Sequence, residues 1–341
     1  MNPPATAAVA SRPNVGVRTV RVGAPGRLHL GFLDPSGSLG RAFGSLGLVI
    51  DGFTTEVELA GAASDRITAN TPAAQAELER AGAFLQLLRQ RSGRHAPLNL
   101  RLLQVLPPHA GFGSGTQLAC AIGRAFDQWH GLGLSTAMLA HWLGRGLRSG
   151  VGIAGFDADG LPAPLLSRVE FPQAWRIVMV QDPSHRGLSG GAEKNAIAVL
   201  PPLPQASAAD ICHQVLMRIL PAAAGAEFAP FAAGINRMQE LLGAHFGPAQ
   251  GGAFTSPAVG RLMHWIADAS RGGRPDLQAA IGQSSWGPTG FAILPSQAQA
   301  EALVKAAHAA GQVDARLQLR IVSGRNHAAV VREGTSQAHA D

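Results

Sequence analysis

One stretch constrains this chain more than any other. Residues 106–126, "LPPHAGFGSGTQLACAIGRAF", place glycines at 111, 113 and 115 beside Ser114 and Thr116, then run into an apolar, alanine-rich segment. The run before it, "PLNLRLLQVL", has the pattern of a strand. The chain must therefore pass from strand to helix through a turn that glycine makes at little steric cost. Two readings are open: a tight structural turn into a buried helix, or an anion site at the helix N-terminus. The second has a direct physical basis, because unpaired first-turn N–H groups and the positive end of the helix dipole converge there. Gly111, Gly113 and Gly115 would let the backbone approach an anion, with Ser114, Thr116 and Gln117 adding side-chain donors. The stretch has neither the GK[ST] close of a Walker loop nor the G-x-G-x-x-G order of a dinucleotide fold.

The rest of the chain alternates strand and helix patterns around this turn. In "VRTVRVGAPGRLHLGFLD", Leu28, Leu30 and Phe32 alternate with Arg27, His29 and Gly31, which predicts a strand with arginine and histidine on one face. "TTEVELA" reads as a second strand, and residues 72–91 as an amphipathic helix. Ser135 reads as the N-cap of a helix whose apolar face is Met138, Leu139, Trp142 and Leu143. Turn formers over 157–172 precede the buried-strand run "WRIVMV". Residues 206–242 are expected to be mostly helical with a break at Pro221. "GQSSWGPTGFAIL" forms a second glycine- and serine-rich turn into a strand, and a helix at "SQAQAEALVKAAHAAG" with a strand at "ARLQLRIV" completes a β-α-β arrangement. The expected organisation is a disordered tail over 1–15, domains at 16–165 and 166–335, and a short tail over 336–341.

Composition narrows the function classes. At 341 residues and 46% hydrophobic, the chain can bury a substantial core, and its apolar runs are too short to span a bilayer. The only cysteines, Cys120 and Cys212, lie far apart in apolar surroundings, which favours two small core residues in a reducing, cytoplasmic setting over a disulfide or zinc scaffold. The charge of +6 rests on arginine, since Lys194 and Lys305 are the only lysines. Arginine suits bidentate grips on phosphate or carboxylate, and a genome rich in G and C would favour it as well. Dispersed arginines with 5% aromatics argue against a nucleic-acid surface.

Three motifs in order, "APGRLHLGFLD", "LPPHAGFGSGTQLA" and "GQSSWGPTGFAIL", resemble the three signatures of the GHMP superfamily of small-molecule kinases. The resemblance implies an α+β, two-domain GHMP-kinase-like fold with the active site in the inter-domain cleft. Within the superfamily, "RLHLGFLD", "GSGTQLA", "LGRGLRSGVGIAGFD", "HRGLSGGAEKNA" and "SSWGPTGFAI" are most similar to the β-ribofuranosylaminobenzene 5′-phosphate synthases of methanopterin biosynthesis. That branch implies condensation of 4-aminobenzoate with phosphoribosyl pyrophosphate, with loss of CO2 and pyrophosphate, Mg2+ as cofactor, and a homodimer among the expected assemblies. The chain departs from the branch after "GIAGF", where "DADGLPAPLLSRVE" replaces an expected Asp-Gly-Gly turn.

Residue chemistry separates this reading from its alternatives, a GHMP kinase and a non-catalytic binding protein on the same scaffold. Many superfamily kinases carry a catalytic aspartate after a Ser-Gly pair; here Ser149 and Gly150 are followed by Val151 and Gly152, and Asp157 and Asp159 fall in a turn-forming stretch. Arg145 and Arg148 either aim two cations into the cleft or cap the C-terminus of the Ser135 helix. Arg27 or His29 could anchor the aryl carboxylate, the histidine being otherwise a hydrogen-bonded core residue. Asp34 and Glu193 are candidates for metal or proton handling, or else a cap or ion-pair partner. Ser149 and Gly150, together with Ser284, Ser285, Gly287 and Thr289 of the third motif, complete the expected substrate-binding set.

Overall fold

The computed structural model describes residues 17–146, 150–156, 165–188, 190–272 and 278–336. The first half runs β1 (Val17–Asp34), β2 (Phe43–Gly61), β3 (Arg66–Ala69), α1 (Pro72–Gln75), α2 (Leu78–Ser92), β4 (Leu98–Gln104), α3 (Ser114–His130), α4 (Thr136–Trp142) and α5 (Val151–Phe156). The second runs β5 (Arg176–Gln181), α6 (Gly190–Val199), α7 (Gln205–Gln214), α8 (Leu220–Ala224), α9 (Phe228–Gln250), α10 (Pro257–Arg271), β6 (Ala280–Gln283), β7 (Gly290–Leu294), α11 (Gln297–Ala309), β8 (Gln318–Val322) and β9 (Val330–Ser336). Among the described residues the strands form two sheets, ordered β3-β4-β2-β1-β9 and β6-β7-β5-β8.

β1 ties the two halves together because its two ends feed different cores. Val20, Val22 and Ala24 pack with Phe84 and Leu88 of α2 and Leu118, Ile122 and Phe126 of α3. Leu28, Leu30 and Phe32 pack instead with Ile177 and Met179 of β5, Ile235 and Met238 of α9 and Phe291 of β7. Between these ends the pairing with β2 shifts register at Pro25/Arg27 and again at His29/Gly31. The second shift breaks the simple alternation expected from the sequence. A bulge lets residues of opposite parity share a face, and the rings of His29 and Phe32 meet at 4.4 Å.

Several expectations change in detail. Ser135 does cap α4, its Oγ accepting from the Met138 amide at 3.2 Å, but Met138 is 44% exposed while Leu139 and Leu143 are buried. The helix over residues 205–224 does not break at Pro221. A π-helical turn, Val215–Ile219, joins α7 to α8, and Pro221 sits in the first turn of α8, where a residue without an N–H is tolerated. The β-α-β unit is split: β7 and β8 each pair antiparallel with β5, which lies between them.

The chain also returns to its starting sheet. β9 pairs with β1 from Val17↔Ser336 to Gly23↔Val330, so the last strand of the expected second domain belongs to the first sheet, and Ser336 lies in it rather than in a tail. Cys120 is buried in the core, whereas Cys212 on α7 is only partly so. No helix among the described residues is long and apolar enough to cross a membrane.

Candidate active site

Three segments far apart in sequence meet where β1 passes the start of α3. The Arg27 amide donates to Phe112 O at 3.3 Å, and Arg27 Nη1 donates to Gly111 O at 2.9 Å. Ser284 Oγ donates to the same Gly111 carbonyl at 2.7 Å and accepts from the His29 amide at 3.0 Å. The Ser285 amide then donates to His29 O at 3.2 Å. A Cβ on Gly287 would lie 2.6 Å from Gly111 N, so this approach of two backbones is open only to glycine. The segment 185–188 closes the junction, with the Gly187 amide donating to His109 O at 3.1 Å.

Gly113 makes the turn, acting as N-cap of α3 at φ 73° and ψ 27°. The Thr116 and Gln117 amides both donate to Gly113 O at 3.0 Å, which leaves the amides of Ser114 and Gly115 as first-turn donors that the helix itself does not use. Gln117 is not among the outward donors. Its side chain is fully buried and its Nε2 donates to Gly152 O at 2.7 Å, fastening α3 to α5. Thr116 packs its methyl group toward Gly152 as well. Ser284 and Thr289 are fully buried, and the Ser284 amide donates to Thr289 O. Ser284 thus acts as a clip between strands and loop, with Ser285 left at the open side.

Guanidinium groups surround this helix N-terminus. Arg27 lies against Gly113, while Arg145 Nη1 and Arg80 Nη1 each lie 3.6 Å from the position a Cβ on Gly115 would take. Arg145 stands beyond the end of α4. Its backbone amide closes on Ala140 O, and its side chain turns back over the Phe84 ring at 5.0 Å. Burial and the neighbouring Arg80 push its pKa down, while Arg80 itself is ion-paired through Nη1 with Glu77 at 3.0 Å. Arg80 was not expected from sequence, where it reads as one more polar position on an amphipathic helix. Arg148 and Ser149, like Asp157 and Asp159, lie outside the described residues. Gly150 supplies its carbonyl to the start of α5.

The remaining candidates divide. Burial pulls the Arg27 pKa down to about 10, opposed by the charge of Glu193 on α6, so Arg27 stays charged at neutral pH. Burial first, and then Arg27, hold the His29 pKa near 3. A neutral imidazole cannot serve as a cationic carboxylate anchor, so of the two candidates Arg27 alone carries the charge for it. Asp34 does not join the cluster. Its carboxylate accepts from the Ser36 and Leu39 amides and from Ser38 Oγ, organising the 36–39 turn at the far end of β1. These bonds outweigh its burial and hold its pKa below the usual carboxylate range. Val151, the residue after Gly150, packs its side chain on Gly47 of β2.

Comparison with known proteins agrees with this geometry. Residues 79–158 match the GHMP kinases N terminal domain. The chain is 32% identical to β-ribofuranosylphenol 5′-phosphate synthase of Archaeoglobus fulgidus over 303 residues, covering 82% of this chain and 89% of that protein. This chain belongs to the β-ribofuranosylphenol 5′-phosphate synthase family. The Methanothermobacter thermautotrophicus member of that family is 27% identical over 80% of this chain and 88% of its own length. Two solved structures share the fold. Homoserine kinase from Cytophaga hutchinsonii covers 96% of this chain and 100% of its own at 16% identity and a TM-score of 0.64. Mevalonate diphosphate decarboxylase from Staphylococcus aureus covers 93% and 98% at 14% identity and 0.63. The α+β, two-domain GHMP architecture expected from the motifs is therefore the fold of this synthase family member.

Proposed function

We propose that this enzyme is a decarboxylating glycosyltransferase that joins an aryl acid to phosphoribosyl pyrophosphate and releases CO2 and pyrophosphate. The observation that carries the reading is the gathering of Arg27 and Arg145, with Arg80 ion-paired to Glu77, around the amides of Ser114 and Gly115, together with Val151 and Gly152 after the Ser-Gly pair that many kinases of the superfamily follow with an aspartate. Such a site can neutralise a multiply charged leaving group and has no carboxylate at the position where kinases of this superfamily hold theirs. The electron-rich ring carbon bearing the carboxylate bonds to ribose C1 while the C1–O bond breaks and its pair leaves with pyrophosphate. The ring–CO2 bond then breaks, its pair restoring aromaticity. No net proton is gained or lost.

The relatives are named for a phenol product, whereas the motif resemblance pointed to an aminobenzene. Both follow from one reaction on 4-hydroxybenzoate or 4-aminobenzoate, which differ only in the para group. Magnesium fits as a companion of the substrate. Among the described residues no three His, Cys, Asp or Glu gather to hold a metal, and Mg2+ is ordinarily held by one or two carboxylates with substrate phosphates. Glu193, whose charge acts on Arg27, is the residue that would supply such a carboxylate. When bound, the ion would neutralise charge on the departing pyrophosphate.

The test is incubation with phosphoribosyl pyrophosphate, Mg2+ and either aryl acid, following CO2 and pyrophosphate. An ATP panel with homoserine and mevalonate runs alongside. Release of both products in equal amounts is the expected result. ATP consumption with an alcohol acceptor, and no pyrophosphate from the aryl acids, would replace this reading with a kinase.

A further inference from the structure

His29 is 2% exposed, yet neither Nδ1 nor Nε2 has a hydrogen-bond partner. Buried polar atoms in folded proteins are nearly always paired, and an orphan pair at the wall of an opening points to a ligand. His29 forms part of such a wall. A cleft that encloses about 40 Å³ and opens to solvent lies beside it, lined among others by Phe32, Leu242, Phe246, Ser285 and Trp286. The aromatic rings are contiguous, with His29 and Phe32 at 4.4 Å and Phe246 and Trp286 at 4.7 Å between centroids.

The glutamines of the same wall are already engaged. Gln239 donates through Nε2 to Leu30 O, and its Oε1 accepts from the Gln283 amide at 3.0 Å. Gln283 Oε1 accepts from the Thr255 amide at 2.6 Å, and its Nε2 donates to Ser285 O at 3.0 Å. Gln250 is engaged likewise, donating to Gly252 O and Ala253 O and accepting from Gln283 Nε2, which leaves the imidazole and the Ser285 hydroxyl as the polar side chains of this wall with hydrogen-bonding capacity to spare. An apolar-walled cleft with aromatic rings and a buried acceptor suits an aromatic molecule with a polar edge. Arg27 stands two residues earlier on the same face of β1, about 7 Å along the strand, beyond the residues that line the cleft and with its guanidinium at Gly111 O.

We propose that this pocket receives the ring of the aromatic acid, with a His29 ring nitrogen accepting the hydrogen bond from its para hydroxyl or amino group and Arg27 facing its carboxylate. This rests on the reaction proposed above and assigns the part of the site that holds the nucleophile. As the ring carbon attacks ribose C1, positive charge develops on the para oxygen or nitrogen and its proton grows more acidic. The bond to a neutral imidazole therefore strengthens in the transition state. When CO2 leaves and its electron pair returns to the ring, the para group keeps its proton and His29 ends as it began. Burial, which keeps His29 neutral, preserves the acceptor lone pair.

The experiment compares 4-hydroxybenzoate, 4-aminobenzoate and 4-methoxybenzoate in the full-length wild type, His29→Gln, His29→Phe and Leu242→Phe. Steady-state kinetics run at saturating phosphoribosyl pyrophosphate, and calorimetric binding of each acid is measured in the presence of pyrophosphate. The wild type should prefer the two donors over the methoxy acid by at least tenfold. His29→Phe should erase that preference without moving the KM for phosphoribosyl pyrophosphate, and His29→Gln, whose amide oxygen can accept, should restore part of it. Leu242→Phe narrows the pocket without altering His29 and should raise the KM for every aryl acid. If the His29 variants fold and keep wild-type discrimination, or if Leu242→Phe leaves aryl affinity unchanged, the assignment is overturned. If the wild type forms no product from any acid, the reaction reading fails on its own. Calorimetry then decides the pocket: donor-selective binding lost in His29→Phe upholds it, and equal binding of all three acids defeats it.

Discussion

Replacing Gly113 by valine tests whether the glycine turn and Arg27 form one unit. At φ 73° any L side chain pays the left-handed penalty, about 1–2 kcal/mol. A Cβ there would also lie 2.9 Å from Arg27 Nε and 3.0 Å from Cζ, so the guanidinium must move and its bond to Gly111 O is lost. A hydrogen bond from a charged donor is worth about 1.5–3 kcal/mol, giving roughly 2.5–5 kcal/mol in all. Gly131, the C-cap of the same helix, supplies the control: its φ is 62° and a Cβ would meet nothing within 4 Å. Gly131→Val should therefore carry only the backbone cost. Urea unfolding of both variants measures the total, and titration calorimetry with phosphoribosyl pyrophosphate measures what the glycine turn contributes to anion binding. We expect Gly113→Val to fold, to be less stable than Gly131→Val by about 1.5–3 kcal/mol, and to bind about 10- to 100-fold more weakly. Equal destabilisation with unchanged affinity would show that the loop is a structural turn and that the anion lies elsewhere.

Other outcomes follow from single groups. Because His29 is held near pH 3 in the fold but titrates near 6.5 when unfolded, the unfolded state binds the extra proton between those values. Stability is complete above about pH 6.5 and falls by up to about 1.4 kcal/mol per unit toward pH 3. Urea midpoints from pH 7 to 5 should fall less steeply in His29→Gln than in the wild type, and equal slopes would refute the buried neutral histidine. Ser284→Ala removes the acceptor of the His29 amide and the donor to Gly111 O; it should cost about 1–3 kcal/mol in thermal or urea unfolding and lower turnover with it. Arg145→Ala should reduce turnover at least about tenfold, roughly 1.4 kcal/mol, with lysine recovering part. Wild-type turnover in Arg145→Ala at saturating Mg2+ would confine Arg145 to packing on Phe84.

The sequence by itself determined the elements whose cause is local. Glycines at a strand-to-helix turn, Ser135 at an N-cap and a two-residue alternation over Leu28, Leu30 and Phe32 each follow from backbone sterics and period, so the glycine turn, α4 and the strand β1, though not its bulges, were legible. The three motifs also implied the fold and the family, because their residues serve a junction that every chain of this architecture must build. Tertiary structure decided what depends on partners distant in sequence. Arg80 joins Arg145 only because α2 packs beside α3, and Gln117 turns inward because α5 supplies the Gly152 carbonyl. Asp34 is drawn into its own turn by nearby amides. β9 is short and half polar, and finds its place only along the free edge of β1. The fate of His29 needed most from the fold. Its strand was readable, but its neutrality, its orphan nitrogens and its contact with Phe32 come from a bulge and from burial beneath α9, where desolvation overrides the intrinsic basicity of the ring.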